Sequence, residues 1–246
     1  LTRNFGSFTA CLAGLTYAKG DCAVIMAADL QDPPELIYDF FLKWKKGNDV
    51  VFAVREKREE KKLNILLSNL FYKIFRVIAL KNMPKQGFDF VLISRKVIDY
   101  LVSSREKNSS IMGQILWAGF KTDQIMYTKT ARPYGHSRWN LAKKIKYSLD
   151  SIMAFSYFPI RMASFLGISI AFMGFIFAVY AILRKILFGT PVPGFTLLLV
   201  LLLVTSGIQM VLLGVFGEYL WRALDEIRKR PSFLVDKLII NRKELN

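Results

Sequence analysis

Residues 24–35 read Val-Ile-Met-Ala-Ala-Asp-Leu-Gln-Asp-Pro-Pro-Glu, and this order of residues decides the expected fold. A short apolar run without helical periodicity predicts a buried parallel strand, and the Pro-Pro pair predicts the start of a helix. We expect Asp32 to cap this helix and Glu35 to reach back to the cap amide. Asp29 and Gln31 are not needed for capping. They fall at the carboxyl end of the strand, where open α/β sheets bind ligands.

The oxygen atoms of Asp29 and Gln31 are hard donors, which suit Mg²⁺ or Mn²⁺ holding a diphosphate. The alternative is an ordinary strand-turn-helix connection whose acids only cap the helix. Capping explains Asp32 and Glu35 completely, but it leaves Asp29 and Gln31 without a role.

The composition predicts contact with lipid and with anions. The 246 residues are 53% hydrophobic with a mean hydropathy of +0.30, which is too apolar for an ordinary soluble domain. The formal net charge of +16 implies an anionic partner: nucleic acid, lipid headgroups or phosphorylated small molecules. Two cysteines form no metal or disulfide pattern, and a single histidine argues against His-based metal or triad chemistry.

Two uncharged segments, 162–183 and 195–216, are each long enough to span a bilayer. The sequence Gly-Thr-Pro-Val-Pro-Gly at 189–194 predicts the turn between them. Lys and Arg are dense before the first segment and after the second, so the positive-inside rule places both termini in the cytoplasm.

Basic residues follow the next predicted strand, 49–54, which delivers Arg55 and Arg58 at its carboxyl end. Two guanidinium groups beside the proposed metal site could clamp phosphate oxygens, although a solvated charge run accounts for the neighbouring Glu and Lys residues. The segment 63–80 then has apolar residues at helical spacing, with basic residues near the other side. Such a helix can lie in the headgroup plane of a membrane or pack against the α/β domain.

Residues 27–35 resemble the D-A-D-L-Q-D-P-P-E signature of family-2 glycosyltransferases that act on polyprenyl phosphates. In that family the D-x-D element ligates the metal that carries the diphosphate of the sugar nucleotide. Ala27 stands where the first Asp is usual, so the resemblance implies that Asp29 and Gln31 hold the Mg²⁺ or Mn²⁺ ion. It also implies that a first nucleotide-binding strand precedes Leu1, so we expect the amino-terminal part of the catalytic domain to be missing.

The resemblance implies further site residues. An R-N-x-G element lies beside the nucleotide, which implies that role for Arg3 and Asn4. Arginines after the second strand hold the acceptor phosphate, which implies that role for Arg55 and Arg58 together with Ser68. A G-x-D-x-x-L carboxylate, here Asp89, lies near the sugar, and an R-x-x-G-x-S-[KR]-[WY] loop, here with Arg132, Ser137 and Arg138, closes over the donor diphosphate.

The resemblance implies a GT-A-like α/β catalytic domain of Rossmann type, and the two uncharged segments predict a membrane hairpin after it. The predicted parts are a partial catalytic domain (1–139), an interfacial amphipathic helix (140–160), a transmembrane hairpin (161–217) and a cytoplasmic tail (218–246). We expect a multi-pass protein of the bacterial inner membrane, with its catalytic domain in the cytoplasm, that forms a homo-oligomer.

These features together predict inverting transfer of a sugar, most simply glucose from UDP-glucose, to undecaprenyl or another polyprenyl phosphate for cell-surface glycan or O-antigen modification. Asp29 and Asp89 are the expected catalytic residues. Two alternatives stay open: a non-catalytic membrane anchor or lipid-carrier-binding protein, and a relative that uses GDP-mannose or UDP-aminoarabinose. A nucleic-acid binder would explain the charge, but no nucleic-acid motif is visible, so we expect no nucleic-acid partner.

Overall fold

The computed structural model describes residues 1–57, 62–104, 106, 109–130, 141–189 and 194–239. The chain forms two compact units, the first made of Leu1–Phe155 and Arg228–Asn246 and the second of Ser156–Ile227. The elements follow in the order α1 (Ser7–Tyr17), β1 (Cys22–Ile25), α2 (Leu36–Lys45), β2 (Val50–Lys57), α3 (Lys62–Ile78), β3 (Val91–Ser94), α4 (Arg95–Ser103), α5 (Ile111–Trp117), β4 (Thr122–Thr128), α6 (Leu141–Phe155), α7 (Phe158–Phe188) and α8 (Phe195–Ile227).

The first unit contains a mixed four-stranded sheet in the order β1-β3-β2-β4. β3 is antiparallel to both β1 and β2, whereas β2 and β4 are parallel. The prediction of a buried parallel strand at the start of the 24–35 stretch is therefore wrong. β1 is a half-buried edge strand that pairs with an antiparallel neighbour, and an apolar run alone cannot distinguish an edge strand from a central one.

The core lies on both faces of this sheet because β2 is buried on both sides. Alternate residues of β2 point to opposite faces, with Val50, Phe52 and Val54 on one side and Val51 and Ala53 on the other. The first face is covered mainly by α3, α4 and α5, and the second by α2, whose Phe40 is completely buried. Each such buried side chain stabilises the fold by about 1.5–3 kcal/mol.

The Pro-Pro pair delays the start of α2. The amide of Leu36 donates to the carbonyl of Pro33 at 3.3 Å, and the amide of Ile37 donates to that of Pro34 at 3.0 Å, so a tight turn precedes the helix. The helix itself is capped at Glu35, without a side-chain hydrogen bond. The prediction that Asp32 caps the helix is therefore wrong, because Asp32 lies a full turn before it and is buried. Glu35 occupies the cap position itself, so it does not reach back to the amide of Asp32 as predicted.

α3 has apolar residues on two sides. Phe75 is buried in the core and Phe71 and Tyr72 pack against it, whereas a second set of large apolar residues is exposed: Leu66, Leu67, Leu70, Ile74 and Val77. Thus part of the helix packs on the α/β domain, as one alternative predicted, and an apolar face is left uncovered. The packed side fits closely, because a Cβ atom added to Gly87 would lie 2.2 Å from the Tyr72 hydroxyl oxygen. Gly87 also has a φ angle of 66°, which favours glycine.

The second unit contains α7 and α8, which contact each other. Gly167 of α7 lies beside Leu212 of α8, and the Tyr219 hydroxyl donates to the carbonyl of Ser156 at 3.0 Å. The segment just before α7 thus contacts the later part of α8, and the first half of α7 contacts the middle of α8. Among the described residues α7 is the one helix that meets the length and composition of a membrane span. The predicted second segment, 195–216, lies within α8, and most of the predicted turn, 190–193, lies outside the described residues.

The helix predicted at 140–160 divides between the two units. α6 ends at Phe155, and α7 begins at Phe158 after a break at which the Ser156 hydroxyl accepts from the amide of Phe158 at 3.0 Å. Ile145 and Leu149 of α6 are exposed, whereas Ile152 and Phe155 pack against the core of the first unit. α6 therefore resembles α3 in having one packed and one uncovered apolar side.

Replacing Ser110, the N-cap of α5, tests the packing of the first unit. Its hydroxyl accepts from the amide of Gly113 at 3.0 Å in a buried position. We expect Ser110→Ala to lower the unfolding free energy by about 1 kcal/mol and the unfolding midpoint by about 2–4 °C, measured by thermal denaturation in detergent. Ser103→Ala removes an exposed hydroxyl on α4 and should leave the midpoint unchanged; equal midpoints for the two variants would contradict the capping role.

Candidate active site

The directions of the strands bring polar side chains to one edge of the sheet. β2 and β4 are parallel, and Arg55 of β2 is paired in register with Tyr127 of β4 near the carboxyl ends of both strands. β3 runs in the opposite direction, so Asp89, which precedes β3, lies at the same edge. Lys129 follows the end of β4. This is the edge at which open α/β sheets bind ligands.

Together with Asp32 from the turn before α2, these residues form a connected group of five, which we call the charge cluster: Asp32, Arg55, Asp89, Tyr127 and Lys129. The guanidinium of Arg55 donates to Asp89 Oδ2 and lies beside the Tyr127 hydroxyl, which in turn donates to Asp32 Oδ1. The Lys129 ammonium lies 3.5 Å from Asp32 Oδ1 and 3.6 Å from Asp89 Oδ2. Two carboxylates therefore face two cations around a phenol.

Burial keeps the phenol of the cluster protonated. Desolvation, followed by the hydrogen bond to Asp32, raises the pKa of Tyr127 above its ordinary range, although Arg55 opposes this shift. Burial alone would lower the pKa of Arg55, but Asp89 and Tyr127 outweigh it and raise that pKa. At neutral pH Tyr127 is thus a hydrogen-bond donor to Asp32, and Arg55 is a permanent cation.

The charge cluster includes three buried polar atoms that are placed to bind a ligand. Asp32 Oδ2, Asp89 Oδ1 and Arg55 Nε have no hydrogen bond within the described part of the chain. Buried polar atoms are nearly always paired, and an unpaired one costs about 1–3 kcal/mol. Donor and acceptor atoms are therefore available here for a polar ligand.

The predicted metal-binding residues lie in a turn beside the charge cluster. Asp29 Oδ1 accepts from the amide of Gln31 at 3.3 Å, and the side-chain amide of Gln31 donates to the carbonyl of Thr130 at 3.1 Å. The amide and the hydroxyl of Thr130 both donate to the carbonyl of Gln31, at 3.1 and 2.9 Å. These bonds fix the turn to the residue that follows Lys129.

Within the described ranges, no three His, Cys, Asp or Glu side chains lie close enough to hold a metal ion by themselves. Mg²⁺ in nucleotide sites is usually held by one or two carboxylates together with the substrate phosphates and water. The half-buried carboxylate of Asp29, fixed in its turn by the Gln31 amide, fits that smaller requirement.

Other predicted site residues show local contacts or lie outside the description. The guanidinium of Arg3 lies 4.6 Å from the ring centre of Phe5, and Asn4 accepts from the amide of Gly6 at 2.9 Å, so both contacts shape the entry to α1. Ser68 is a half-buried residue of α3. The remaining predicted residues lie outside the described residues: Arg58, Arg132, Ser137 and Arg138.

Sequence reasoning missed three members of the charge cluster. The sequence pattern predicts a helix cap at Asp32 and no role for Tyr127 or Lys129. The signal for the last two is their position, because Tyr127 lies near the end of a strand parallel to the strand that carries Arg55, and Lys129 directly follows that strand. That pairing is a long-range property, which a local pattern does not reveal.

Comparison of the sequence with known proteins identifies the family of this chain. Residues 1–102 match the model described as glycosyl transferase family 2. The chain is 38% identical over 237 residues to the uncharacterized glycosyltransferase YkcC of Bacillus subtilis, covering 96% of this chain and 73% of that protein. It is 35% identical to the SfII prophage-derived bactoprenol glucosyl transferase of Shigella flexneri (96% and 77% covered) and 37% identical to the prophage bactoprenol glucosyl transferase homolog of Escherichia coli (96% and 78%).

These relatives are similar over almost the whole chain and include enzymes named for glucosyl transfer. The mixed α/β sheet agrees with the GT-A-like fold expected from the resemblance of residues 27–35. The chain therefore belongs to glycosyltransferase family 2, and its relatives in that family include bactoprenol glucosyl transferases.

Proposed function

We propose that the protein transfers a sugar from a nucleotide donor, UDP-glucose in the simplest case, to the phosphate of a polyprenol at the cytoplasmic face of the bacterial inner membrane. The observation that carries this proposal is the charge cluster at the ligand-binding edge of a family-2 sheet. The names of the bactoprenol glucosyl transferases support a polyprenyl acceptor. A role in modifying a cell-surface glycan such as O-antigen would follow from that product.

The acceptor phosphate has to be oriented by the protein, but no base is needed to remove a proton from it. A phosphate oxygen is already anionic at neutral pH, so it can attack the anomeric carbon directly while the bond to the departing diphosphate breaks and the configuration inverts. Arg55 is suited to hold that phosphate, because its Nε is buried and unpaired within the described part of the chain. Asp89 fixes the Arg55 guanidinium and has one carboxylate oxygen left for the substrate.

The departing diphosphate also carries negative charge, which the protein has to stabilise. Asp29, with Gln31, would hold Mg²⁺ or Mn²⁺, which neutralises the leaving diphosphate when bound. Among the residues outside the described ranges, Arg132, Ser137 and Arg138 are proposed to wrap the same diphosphate, as their motif implies. Arg3 and Asn4 are proposed to lie near the nucleotide, and Arg58 and Ser68 near the acceptor phosphate.

Membrane attachment would bring the lipid acceptor to the enzyme. The exposed apolar side of α3, with Val77 at 76% and Leu66 at 65% exposed, suits insertion among lipid headgroups, and so does the exposed side of α6. At 31 residues α7 is about 46 Å long, more than the roughly 30 Å of a bilayer core, and α8 is longer still. We propose that α7 and α8 form a transmembrane hairpin with both termini in the cytoplasm. A homo-oligomer stays a prediction.

Transfer is tested with purified protein in detergent, labelled UDP-glucose, undecaprenyl phosphate and Mg²⁺ or Mn²⁺, followed by lipid extraction. GDP-mannose and UDP-aminoarabinose in parallel identify the donor. Label in the lipid phase supports the proposal. If no donor yields a lipid-linked sugar, while the protein still binds polyprenyl phosphate, the result favours a lipid-carrier-binding protein instead.

Asp29→Ala should lower transfer at least about 100-fold, because the leaving diphosphate loses its metal-bound stabilisation. Asp39→Ala removes an exposed carboxylate from α2 and is the matched control, expected to retain full activity. Comparable rates for Asp29→Ala and the control would refute the metal assignment.

Tyr127→Phe should weaken both the fold and the reaction. Asp32 Oδ1 loses its buried donor, which costs about 1–3 kcal/mol in chemical denaturation, and Arg55 loses one contact, which we expect to slow transfer about tenfold. Since the pKa of Tyr127 is raised above its ordinary value of about 10, the stability difference should be constant from about pH 6 to 9 and shrink only as the phenol ionises at strongly alkaline pH. Tyr38→Phe, on the exposed side of α2, should change neither quantity.

Reporter fusions test the hairpin. Alkaline phosphatase fused after residue 246 should be inactive and green fluorescent protein fused there should fluoresce, because the positive-inside rule keeps this end in the cytoplasm. Phosphatase inserted within 190–193 should be active. An active phosphatase at the carboxyl end would contradict the cytoplasmic location of this end and with it the proposed topology.

A further inference from the structure

Lys129 is a mostly buried cation whose ammonium donates no hydrogen bond to any of the described residues. Its side chain is 14% exposed, and its ammonium lies 3.5 Å from Asp32 Oδ1 and 3.6 Å from Asp89 Oδ2. Direct N–H···O bonds to carboxylates are about 2.7–2.9 Å long, so both contacts are ion pairs without a close hydrogen bond. An ammonium group has three N–H donors. Within the described part of the chain, these donors are not taken up.

The two acids do not depend on Lys129 for their hydrogen bonds. Each oxygen that the ammonium approaches already accepts from another residue, Asp32 Oδ1 from Tyr127 and Asp89 Oδ2 from Arg55. The other oxygen of each carboxylate has no partner among the described residues. A lysine whose purpose was to satisfy these acids would donate to the unpaired oxygens. The ammonium instead lies between two carboxylates that other residues already hold.

The backbone places Lys129 between the two proposed phosphate sites. Its neighbour Thr130 makes three hydrogen bonds with Gln31, which fixes Lys129 beside the turn that carries Asp29. On its other side are Asp89 and the guanidinium of Arg55. The donor diphosphate is proposed to bind at the Asp29 turn and the acceptor phosphate at Arg55. A point charge between them can reach either group.

We propose that Lys129 is a substrate ligand whose ammonium donates to a phosphate oxygen, either of the nucleotide diphosphate or of the lipid phosphate. This inference rests on the proposed function, because that function supplies the two phosphate groups. Lysine binds phosphate as a compact charge with rotatable donors, so a shift of the ammonium away from the two long ion pairs exchanges weak contacts for a direct one. No bond is made or broken in this step.

The test compares binding by the full chain in detergent with two probes, UDP and farnesyl phosphate, measured separately by calorimetry. Lys129→Met keeps the length of the stem and removes the charge, and Lys129→Arg keeps the charge. We expect Lys129→Met to raise the Kd for at least one probe about 10- to 100-fold and Lys129→Arg to stay within about tenfold of the unchanged protein. Loss of UDP affinity assigns Lys129 to the donor, and loss of farnesyl phosphate affinity assigns it to the acceptor.

Lys96→Met is the matched control. Lys96 is a lysine of the same unit that is 78% exposed and lies 3.8 Å from Asp49, and its replacement should leave both affinities unchanged. Unchanged Kd values for both probes in Lys129→Met, with or without a lower unfolding midpoint, would overturn the proposal and leave Lys129 as a counter-charge for Asp32 and Asp89. If Lys129→Met does not fold, Lys129→Gln is measured in its place with the same two outcomes. This experiment measures binding and not sugar transfer. If the unsubstituted protein fails to transfer sugar, the proposed function is refuted, and the Kd values still decide the role of Lys129.

Discussion

The ion pair between Arg55 and Asp89 is the interaction on which the candidate site depends. It joins the end of one strand to the start of its antiparallel neighbour, and it can form only because β3 reverses direction between β1 and β2. Tyr127 extends the connection to the next strand, and Asp32 extends it to the turn before α2. The charges at this edge are therefore held by the sheet itself, and a substrate meets groups that are already oriented, which lowers the cost of binding and reaction.

Much of the architecture could be predicted from the sequence. The buried run Val50–Val54, the amphipathic segment that became α3 and the long apolar helix α7 follow from periodicity and length, which are local properties. The family assignment followed from residues 27–35. Strand order and direction could not be predicted in this way, because pairing depends on contacts between distant residues. The edge position of β1 is the example.

The role of Asp32 shows why the site was harder to predict than the fold. A carboxylate before a Pro-Pro pair has the local pattern of a helix cap, and capping was a complete explanation of it. In the structure the prolines form a turn of their own, and the carboxylate points instead to a tyrosine 95 positions later in the chain. The role of Lys129 could not be predicted for the same reason, because Asp32, which it approaches, is also far away in the sequence. Asp29 and Gln31 can be predicted because a helix cap does not need them, and Arg55 because it follows a predicted strand.

The close contact between Tyr72 and Gly87 connects helix α3 to the loop that carries Asp89. Gly87 lies two residues before Asp89, and Tyr72 belongs to the helix whose outer side is apolar and uncovered. With no gap between the phenol and the glycine backbone, a tilt of α3 must displace the loop that carries the acid. If α3 rests on the bilayer as proposed, a change in lipid packing that tilts the helix would be transmitted through this contact to the loop that carries Asp89.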